Sequence, residues 1–268
     1  MFVFIVFCGN FSFLFLTSDS YSGFLIGVAG MYEIKEWSSI KSDFSRFLIL
    51  GNGASISIDN KFRYDSLLEK AYEKEFISRK GKALFDSFKT HDFESILRML
   101  WYSCRVNEAL GIEENITRES YDETRNALIK VVRDIHPLHE NVSKYFECAS
   151  SFLRGFDVIF SLNYDLLLYW IMLYSNNCHR SHAFKDCFDG QEFSDKWRKY
   201  REPIYGQKKT TLVFYPHGNL ILVKKDEVEG KIISRVDGKY LLDEILDKWE
   251  REDCIPQFIS EGGVDAKT

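Results

Sequence analysis

The sequence predicts an α/β fold built on a parallel β-sheet, with a large helical insertion after the first strand. Three short apolar runs, 47–50, 157–161 and 211–215, are typical of strands buried on both faces of such a sheet. Residues of about 64–155 show apolar positions at helical spacing, and this block is too long to be a single crossover. We therefore expect several helices between the first and second strands, as an insertion or cap.

The composition is that of a globular, soluble protein. Of 268 residues, 45% are hydrophobic and 28% are charged, and the net charge is −5. This charge gives no electrostatic reason to expect direct binding to nucleic acid. The six cysteines form no C-x-x-C pair, so we expect free thiols in a reducing, cytoplasmic compartment. Cys104 and Cys148 are expected to be buried in helices.

Residues 1–30 differ from the rest of the chain. They contain no Lys or Arg, one Asp, and two apolar runs interrupted by polar residues. A secretory signal carries a positive start, and a membrane-spanning helix needs about 20 unbroken apolar residues. We expect this segment to be a non-native extension of the reading frame, with Met31 as the natural start. A weak membrane anchor is the alternative, although no membrane association is expected.

Further elements are predicted after the second strand. Residues 166–174 are apolar all round and predict a buried helix, and residues 240–252 predict an amphipathic helix. Between them, residues 176–209 are expected to be a long irregular loop or a small subdomain. Residues 220–223 and 231–236 predict a hairpin with its turn at 227–230.

The end of the first predicted strand is the strongest candidate for a nucleotide site. Gly51, Asn52, Gly53, Ala54 and Ser55 follow the apolar run directly. Two glycines two apart allow a tight turn and close approach to a ligand, and a helix beginning here would offer free N–H groups to a phosphate. The alternative is an ordinary glycine turn after a core strand.

The other two strand ends also carry candidate residues. Asn163 and Asp165 follow the second strand, and His217 and Gly218 follow the third. Asn163 suits a ribose hydroxyl or a positioned water, but it also begins helices. Asp165 equally suits the first turn of a helix. A histidine side chain ordinarily changes charge near neutral pH, so His217 suits a general base, or it is a structural histidine in a loop. Because the carboxyl ends of parallel strands share one edge, we expect these residues to form one cleft.

Several alternative sites have little support in the sequence. The dehydrogenase fingerprint G-x-G-x-x-G would need glycine at position 56, which is Ile56, so hydride transfer is not expected. The P-loop pattern is absent from the sequence. Cys178, His182 and Cys187 suggest a partial metal site, but His179 is a poor fourth zinc ligand by spacing. We therefore expect no metal.

The three strand ends together resemble a known superfamily. Gly51 to Ser55, then Ser161 to Asp165, then Pro216 to Gly218 are similar in order to the SIR2 motifs G-A-G-x-S, T-Q-N-I-D and L-H-G. The middle motif is closer to the T-N-Y-D of the SIR2-like branch. Within that branch, the chain resembles the bacterial DUF4917 group over about residues 46–262, through four runs: 163–170, 189–190, 215–220 and 258–262.

This resemblance implies a Rossmann-like NAD-binding domain over residues 31–268. Characterised SIR2-like relatives cleave the nicotinamide–ribose bond of NAD in bacterial defence against phage. By resemblance, Asn163 would orient the nicotinamide ribose or the attacking water, and His217 would be the base. The remaining cofactor contacts implied by the resemblance are Gly51, Asn52, Gly53, Ala54, Ser55, Asp165 and Gly218.

The resemblance leaves three functions open, which rank in a clear order. The first is an NAD glycohydrolase, with a phage-derived activator or a homo-oligomer as possible partners. The second is a non-catalytic sensor of NAD or an ADP-ribose derivative. The third is an NAD-dependent deacylase, which is disfavoured because the chain lacks the two C-x-x-C pairs of the sirtuin zinc module. The sheet of SIR2-like proteins continues further than this sequence, so we expect the C-terminal part of the fold to be truncated at Thr268.

Overall fold

The computed structural model describes residues 4–8, 12–15, 39, 46–59, 67–113, 115–204, 206–225, 228–234, 238–251 and 253–258. The expectations about a start at Met31 and about the end of the chain at Thr268 lie outside these residues. The strands of the larger sheet are β1 (Phe4–Cys8), β2 (Ser12–Phe15), β3 (Phe47–Leu50), β4 (Val158–Ser161), β5 (His182–Lys185) and β8 (Lys209–Phe214). Those of the smaller sheet are β6 (Phe188–Asp189), β7 (Glu192–Phe193), β9 (Gly218–Lys225), β10 (Val228–Lys231) and β11 (Ile255–Phe258).

The larger sheet has the order β2-β1-β3-β4-β8-β5. Strands β3, β4, β8 and β5 form its parallel core, β1 pairs in parallel with β3, and β2 pairs antiparallel with β1. The predicted strands 47–50, 157–161 and 211–215 are confirmed as β3, β4 and β8, within two residues at each end. An α/β fold with a parallel sheet, consistent with a Rossmann-like architecture, is therefore confirmed.

Helices account for most of the chain between β3 and β4. The helices of the described residues are α1 (Asn52–Ile56), α2 (Leu67–Glu73), α3 (Arg79–Phe88), α4 (Phe93–Leu110), α5 (Ile116–Ile135), α6 (His139–Val142), α7 (Phe146–Leu153), α8 (Leu167–Cys178), α9 (Trp197–Arg201) and α10 (Leu241–Glu250). A short 3-10 turn, Ser143–Tyr145, joins α6 to α7. The two helices predicted after β4 are confirmed as α8 and α10. No described helix is both long and apolar enough to cross a membrane.

The hydrophobic core joins the helical block to the parallel sheet. Leu48 of β3 and Ile159 of β4 are fully buried, as is Trp249 of α10. Helix α8 contributes an almost continuous buried surface, because seven of its twelve residues are buried. Its Trp170 donates a hydrogen bond of 2.9 Å from Nε1 to the carbonyl of Gly238. One continuous core of this kind explains why α8 is apolar all round without being a membrane helix.

The segment 176–209 is more regular than the sequence predicted. It contributes β5 to the edge of the parallel sheet, where His182 pairs with Lys209 of β8, and it also contains β6, β7 and α9. Of the two alternatives given for this segment, the irregular loop is therefore wrong, and the small subdomain is nearer to what the structure shows. Strands β5, β6 and β7 are only two to four residues long, which is too short for an alternation of apolar and polar residues to be recognised. They are strands because their backbones pair with neighbouring strands.

The predicted hairpin is present, but its turn was placed wrongly. Strand β9 pairs with Val228–Lys231, so the glycine at position 230, which we assigned to a turn, lies inside a strand and opposite Val223. A Cβ at Gly230 would lie 3.0 Å from the carbonyl oxygen of Gln191. Glycine is needed here because the neighbouring backbone passes so close. Strands β6, β7 and β11 complete this antiparallel sheet in the order β11-β9-β10-β7-β6.

Candidate functional site

The candidate site lies at the carboxyl edge of the parallel sheet. Strands β3, β4 and β8 are direct neighbours in that order, and they run parallel. Each leads into one of the predicted turns, which contain Gly51, Asn163 and His217 respectively. Since neighbouring strands lie about 4.8 Å apart, the three strand ends fall within about 10 Å of one another along the edge.

The first turn leads at once into helix α1, with Gly51 as its N-cap. Gly51 has φ −107° and ψ −179°, an extended conformation that any residue adopts, and a Cβ there would meet no atom within 4 Å. The turn itself therefore does not require glycine, contrary to the first part of our interpretation. What glycine leaves at this position is open space beside the backbone. Asn52 is exposed, Gly53 and Ala54 are partly buried, and Ser55 is buried.

A chain of hydrogen bonds joins the first turn to the second. Ser55 Oγ donates to Asp165 Oδ2 at 2.6 Å, and Asn163 Nδ2 donates to Ser55 Oγ at 2.9 Å. Asn163 Nδ2 also donates to the carbonyl oxygen of Gly51 at 3.1 Å. Both hydrogens of the Asn163 amide are thus used within the protein. Its Oδ1 accepts no hydrogen bond from any described residue, and a ligand hydroxyl or a water molecule would find an acceptor there.

Asp165 is a buried carboxyl group that accepts two hydrogen bonds through its side chain. Its Oδ1 accepts a hydrogen bond of 2.9 Å from the backbone N–H of Leu167, at the start of α8, and its Oδ2 accepts from Ser55. Burial raises the pKa of Asp165 above its ordinary value, while the hydrogen bonds from Ser55 and Leu167 act in the opposite direction. Asp165 lies just before α8 and not, as had been predicted, in its first turn, but its side chain bonds to the first N–H of that helix and also to Ser55.

Two residues that sequence reasoning missed hold the Asn163–Leu166 turn in place. Asn219, fully buried, donates from Nδ2 to the carbonyl oxygen of Asp165 at 2.7 Å and accepts from the N–H of Ile221 at 3.1 Å. His136 Nε2 accepts from the N–H of Leu166 at 3.1 Å, and its Nδ1 lies 2.9 Å from the carbonyl oxygen of Pro137. His136 is therefore neutral with the proton on Nδ1, and burial lowers its pKa to about 4.

The sequence contained a signal for one of these two residues. Asn219 directly follows His217 and Gly218 and begins an otherwise apolar run. A polar side chain in such a strand indicates that it is buried and hydrogen-bonded. His136 lies at the end of α5 and 30 positions before Leu166. No local pattern connects such distant residues, and only the tertiary fold, which sets the ring of His136 edge-on to Trp170 of α8, brings them together.

The joined turns line a cavity of about 250 Å³ on the helical side of the sheet. Its polar residues are Ser55, Ser57, Tyr145, Cys148, Ser161, Asn163 and Asp165. Its apolar wall comes from α7, α8 and the end of β3. Cys148, expected to be buried, is instead exposed, because it lies on the face of α7 that borders this cavity. We call this space the first cavity.

His217 and Gly218 line a second cavity, of about 560 Å³, between the two sheets. None of the described residues that line it also lines the first cavity. Phe160 borders the second cavity and the next residue, Ser161, borders the first, so the two cavities lie on opposite faces of β4. Of the predicted site residues, the structure thus joins Gly51, Ser55, Asn163 and Asp165 in one cluster, and it places His217 and Gly218 across the sheet edge.

The second cavity is lined by aromatic side chains and by Asp186, which is one member of a buried ion pair. The rings of Phe160 and Phe214 stack with centroids 5.5 Å apart, and Phe193 stands at the border of the cavity. Lys231 Nζ donates to both carboxylate oxygens of Asp186, at 2.8 and 2.6 Å. Both side chains are about 10% exposed or less. The cavity therefore combines aromatic surfaces with a carboxylate, Asp186, whose two oxygens already accept from Lys231.

The partial metal motif is not assembled within the part of the chain that the structure describes. His182 is buried with its Nε2 2.9 Å from Thr211 Oγ1, Cys187 borders the second cavity, and Cys178 is exposed at the end of α8. No group of three or more His, Cys, Asp or Glu side chains among the described residues is arranged to hold a metal ion. The thiols of Cys104, Cys148, Cys178, Cys187 and Cys254 are free.

Comparison with known proteins places the chain in one family. Among curated proteins, none matches this chain. The family described as "Domain of unknown function (DUF4917)" matches residues 48–268, a range that includes all three turns of the candidate site. Because this match spans well over half of the 268 residues, the chain belongs to the DUF4917 family.

Proposed function

We propose that this protein binds NAD across the carboxyl edge of its parallel sheet and hydrolyses the nicotinamide–ribose bond. On this proposal it is a SIR2-like NAD glycohydrolase that acts in bacterial defence against phage, in the cytoplasm. The observation that carries the proposal is the linked pair of turns, in which Asn163 Oδ1 is left open beside Gly51 and Ser55. Ligands of open α/β sheets bind at this edge.

The chemistry requires few groups from the protein. Water attacks C1′ of the nicotinamide ribose, the C–N bond breaks through an oxocarbenium-like state, and nicotinamide leaves as a neutral molecule. The proton lost by the water goes to His217 on this proposal. Asn163 Oδ1 accepts a hydrogen bond from the water or from a ribose hydroxyl. The products are nicotinamide, ADP-ribose and one proton, so no further reactant is needed.

The remaining residues have positioning roles in this proposal. A Cβ added at Gly51 would have no atom within 4 Å, so the space beside this glycine is open and lets the pyrophosphate or ribose approach the backbone. Ser55 and Asp165 are hydrogen-bonded to each other and fix Asn163, so their effect on cleavage is indirect. The first cavity, at about 250 Å³, is smaller than the usual range for ligand sites, about 300–1,000 Å³. A dinucleotide would therefore extend over the edge towards the second cavity.

One observation favours the sensor as a second candidate. Asn163 and His217 border different cavities, on opposite faces of β4, whereas hydrolysis needs both at one reacting carbon. A protein that binds NAD or ADP-ribose without cleaving it needs no such convergence. The two candidates share the ligand and differ in turnover.

The deciding experiment measures binding and cleavage on the same protein. NAD and, in a separate titration, ADP-ribose are added to the purified chain by calorimetry, and free nicotinamide released from NAD is followed by chromatography, for the parent, Asn163→Ala and His217→Ala. His91→Ala, which removes an exposed histidine before α4, is the matched control. A glycohydrolase binds NAD and releases nicotinamide, and each site variant lowers the rate at least about 100-fold, the usual contribution of a general base.

The other outcomes are equally informative. Binding by the parent without nicotinamide release favours the sensor. Nicotinamide release that neither Asn163→Ala nor His217→Ala slows would show that this site is not where cleavage occurs. A parent that binds neither NAD nor ADP-ribose would rule out both candidates.

A further inference from the structure

The second cavity leaves an aromatic surface of the parallel sheet uncovered. Phe160 of β4 and Phe214 of β8 lie directly opposite each other in the register of these strands, and their rings stack with an interplanar angle of 21°. Both strands lie inside the sheet, where each face is ordinarily covered by other elements. The two side chains are nevertheless only partly buried, because they border the cavity. One wall of the cavity is therefore a pair of rings that a ligand can reach.

The smaller sheet supplies a second aromatic wall. Phe188 and Phe193 pair directly across β6 and β7, and their ring centroids lie 5.6 Å apart at an interplanar angle of 72°. Both border the cavity. The register between β7 and β10 places Glu229 and Lys231 on the same face of this sheet as Phe193, since side chains alternate along a strand. Lys231 Nζ lies 5.3 Å from the ring centroid of Phe188, as expected from this arrangement.

The charged side chains of the second wall occur in pairs of opposite sign. Lys231 is bonded to Asp186, and Lys224 of β9 lies directly opposite Glu229 of β10. Residues directly opposite each other in an antiparallel pair share one face of the sheet. These four residues therefore contribute no net charge to the wall. A phosphate or carboxylate group of a ligand would find no unbalanced positive charge among them, so the wall suits an uncharged group.

Two polar side chains beside the cavity are available to a ligand. Gln257 of β11 is partly buried and borders the cavity, and its side-chain amide makes no hydrogen bond with any other described residue. A primary amide can both donate and accept. Glu229 borders the cavity, is exposed, and offers a carboxylate acceptor. Together they match the edge of a ring that carries an NH2 donor.

We propose that the second cavity binds an amino-bearing nucleobase, with its ring between the two phenylalanine walls and its NH2 group directed to Glu229 and Gln257. The volume of about 560 Å³ lies within the usual range for ligand sites, about 300–1,000 Å³. Every nucleobase can stack on aromatic side chains, so the amino group supplies the preference among them. The base comes either from a separate nucleoside or nucleotide, or from the adenine end of NAD. The site is inferred from the cavity alone and does not depend on cleavage of NAD.

The test compares adenosine with inosine, which has a carbonyl oxygen in place of the amino group. Both are titrated into the full-length chain and followed by ligand-observed NMR. Adenosine is expected to bind at least about tenfold more tightly, because inosine leaves the acceptors of the site without a donor. A parent that does not bind adenosine, or that binds the two nucleosides equally, would overturn the inference.

Two variants locate the binding in the second cavity. Phe193→Ala is expected to weaken both nucleosides at least about threefold, because it removes a stacking surface. Glu229→Gln should narrow the preference for adenosine at least about threefold, since the new amide can donate to the carbonyl oxygen of inosine. The matched controls are Phe88→Ala, whose ring is 54% exposed where that of Phe193 is 52% exposed, and Glu192→Gln on β7. Adenosine binding that neither Phe193→Ala nor Glu229→Gln changes would place the nucleoside elsewhere and overturn the inference.

Competition with NAD distinguishes the two sources of the base. Displacement of adenosine by NAD identifies the adenine end of NAD as the occupant, and simultaneous binding identifies a separate molecule. Both results support the site. A chain that binds adenosine in the second cavity but does not bind NAD would leave this inference standing and overturn the proposed function, so the two failures are distinguishable.

Discussion

Ser55 Oγ donates a hydrogen bond of 2.6 Å to Asp165 Oδ2, although 110 positions separate the two residues. The serine belongs to α1, the short helix directly after β3, and the aspartate to the turn after β4. Both groups are buried, and the same serine oxygen accepts from Asn163. This relationship makes the two turns a single unit, and it explains why small and polar residues occur at both strand ends.

Removing the serine hydroxyl is expected to destabilise this unit. Ser55→Ala deprives a buried carboxyl group of a donor and Asn163 of an acceptor. We expect the free energy of unfolding to fall by about 2 kcal/mol, the usual value for a hydrogen bond to a charged group. Urea unfolding followed by tryptophan fluorescence measures the change.

Ser57→Ala provides the matched control for that variant. Ser57 Oγ bonds only locally, to the carbonyl oxygen of Ala54 in the same helix, and the residue is exposed. We expect a change within about 0.5 kcal/mol. Equal losses for the two serines would show that the link to Asp165 adds nothing to stability.

Asn219 is expected to be the most sensitive position outside the three turns. Asn219→Ala leaves the carbonyl of Asp165 and the N–H of Ile221 buried without their partner, and should cost about 2–3 kcal/mol. Asn219→Asp keeps the acceptor but places a carboxyl group against a carbonyl oxygen, so we expect no rescue. Asn177→Ala, at an exposed position of α8, is the control. Thermal unfolding that ranks Asn177→Ala with Asn219→Ala would contradict this role.

The stability of the protein should depend on His136 at acidic pH. Burial lowers its pKa to about 4 in the folded state, whereas the unfolded chain has the ordinary value of about 6.5. Below about pH 6.5 the unfolded state therefore binds a proton that the folded state does not, and stability falls as pH falls towards 4. The full effect of this one residue is roughly 3 kcal/mol.

Unfolding in urea at a series of pH values between 7 and 4 checks this expectation. His136→Gln keeps a neutral polar side chain and should give a shallower decline of stability with falling pH than the parent. His182, whose pKa burial also lowers to about 4, contributes a second and separate decline, which His182→Gln should remove. His91→Gln removes an exposed imidazole as a control. Parallel pH profiles for the parent and His136→Gln would disprove the assignment.

The ion pair between Lys231 and Asp186, which borders the second cavity through Asp186, is expected to be costly to break from one side. Lys231→Met leaves the buried Asp186 carboxylate without its partner, and we expect a loss of about 3–5 kcal/mol. Adding Asp186→Leu to that variant should recover much of the loss, because a buried pair is often replaceable by apolar groups. Lys74→Met removes an exposed pair with Asp134 and should cost at most about 1 kcal/mol. Similar losses for the two lysines, measured by urea unfolding, would contradict this account.

The parts of the fold that the sequence predicted are those encoded by local pattern. The runs of β3, β4 and β8 are continuous and apolar, and α8 and α10 are long enough for their buried positions to be recognised. Strands β6 and β7 have only two residues each, and β10 contains a glycine that resembles a turn residue. Their positions depend on pairing with distant segments, which single-sequence patterns do not contain.

The candidate site also has one part that the sequence predicted and one part that it did not. The turns at Gly51 and Asn163 were predicted to meet because both follow neighbouring parallel strands, and their hydrogen bonds follow from that arrangement. The side of the sheet on which His217 lies was not predictable, because β8 passes directly into β9 of the second sheet. The expected role of His217 as the base therefore stays a prediction.

The most direct measurement of the central claim is protection of a cysteine by NAD. Cys148 is exposed and borders the first cavity, whereas Cys178 is exposed and does not border it. Alkylation of the two thiols by N-ethylmaleimide is followed by mass spectrometry of their peptides, with and without saturating NAD. The account predicts slower alkylation of Cys148 and an unchanged rate at Cys178. Equal rates at Cys148 with and without NAD would contradict the claim that a dinucleotide enters this cavity.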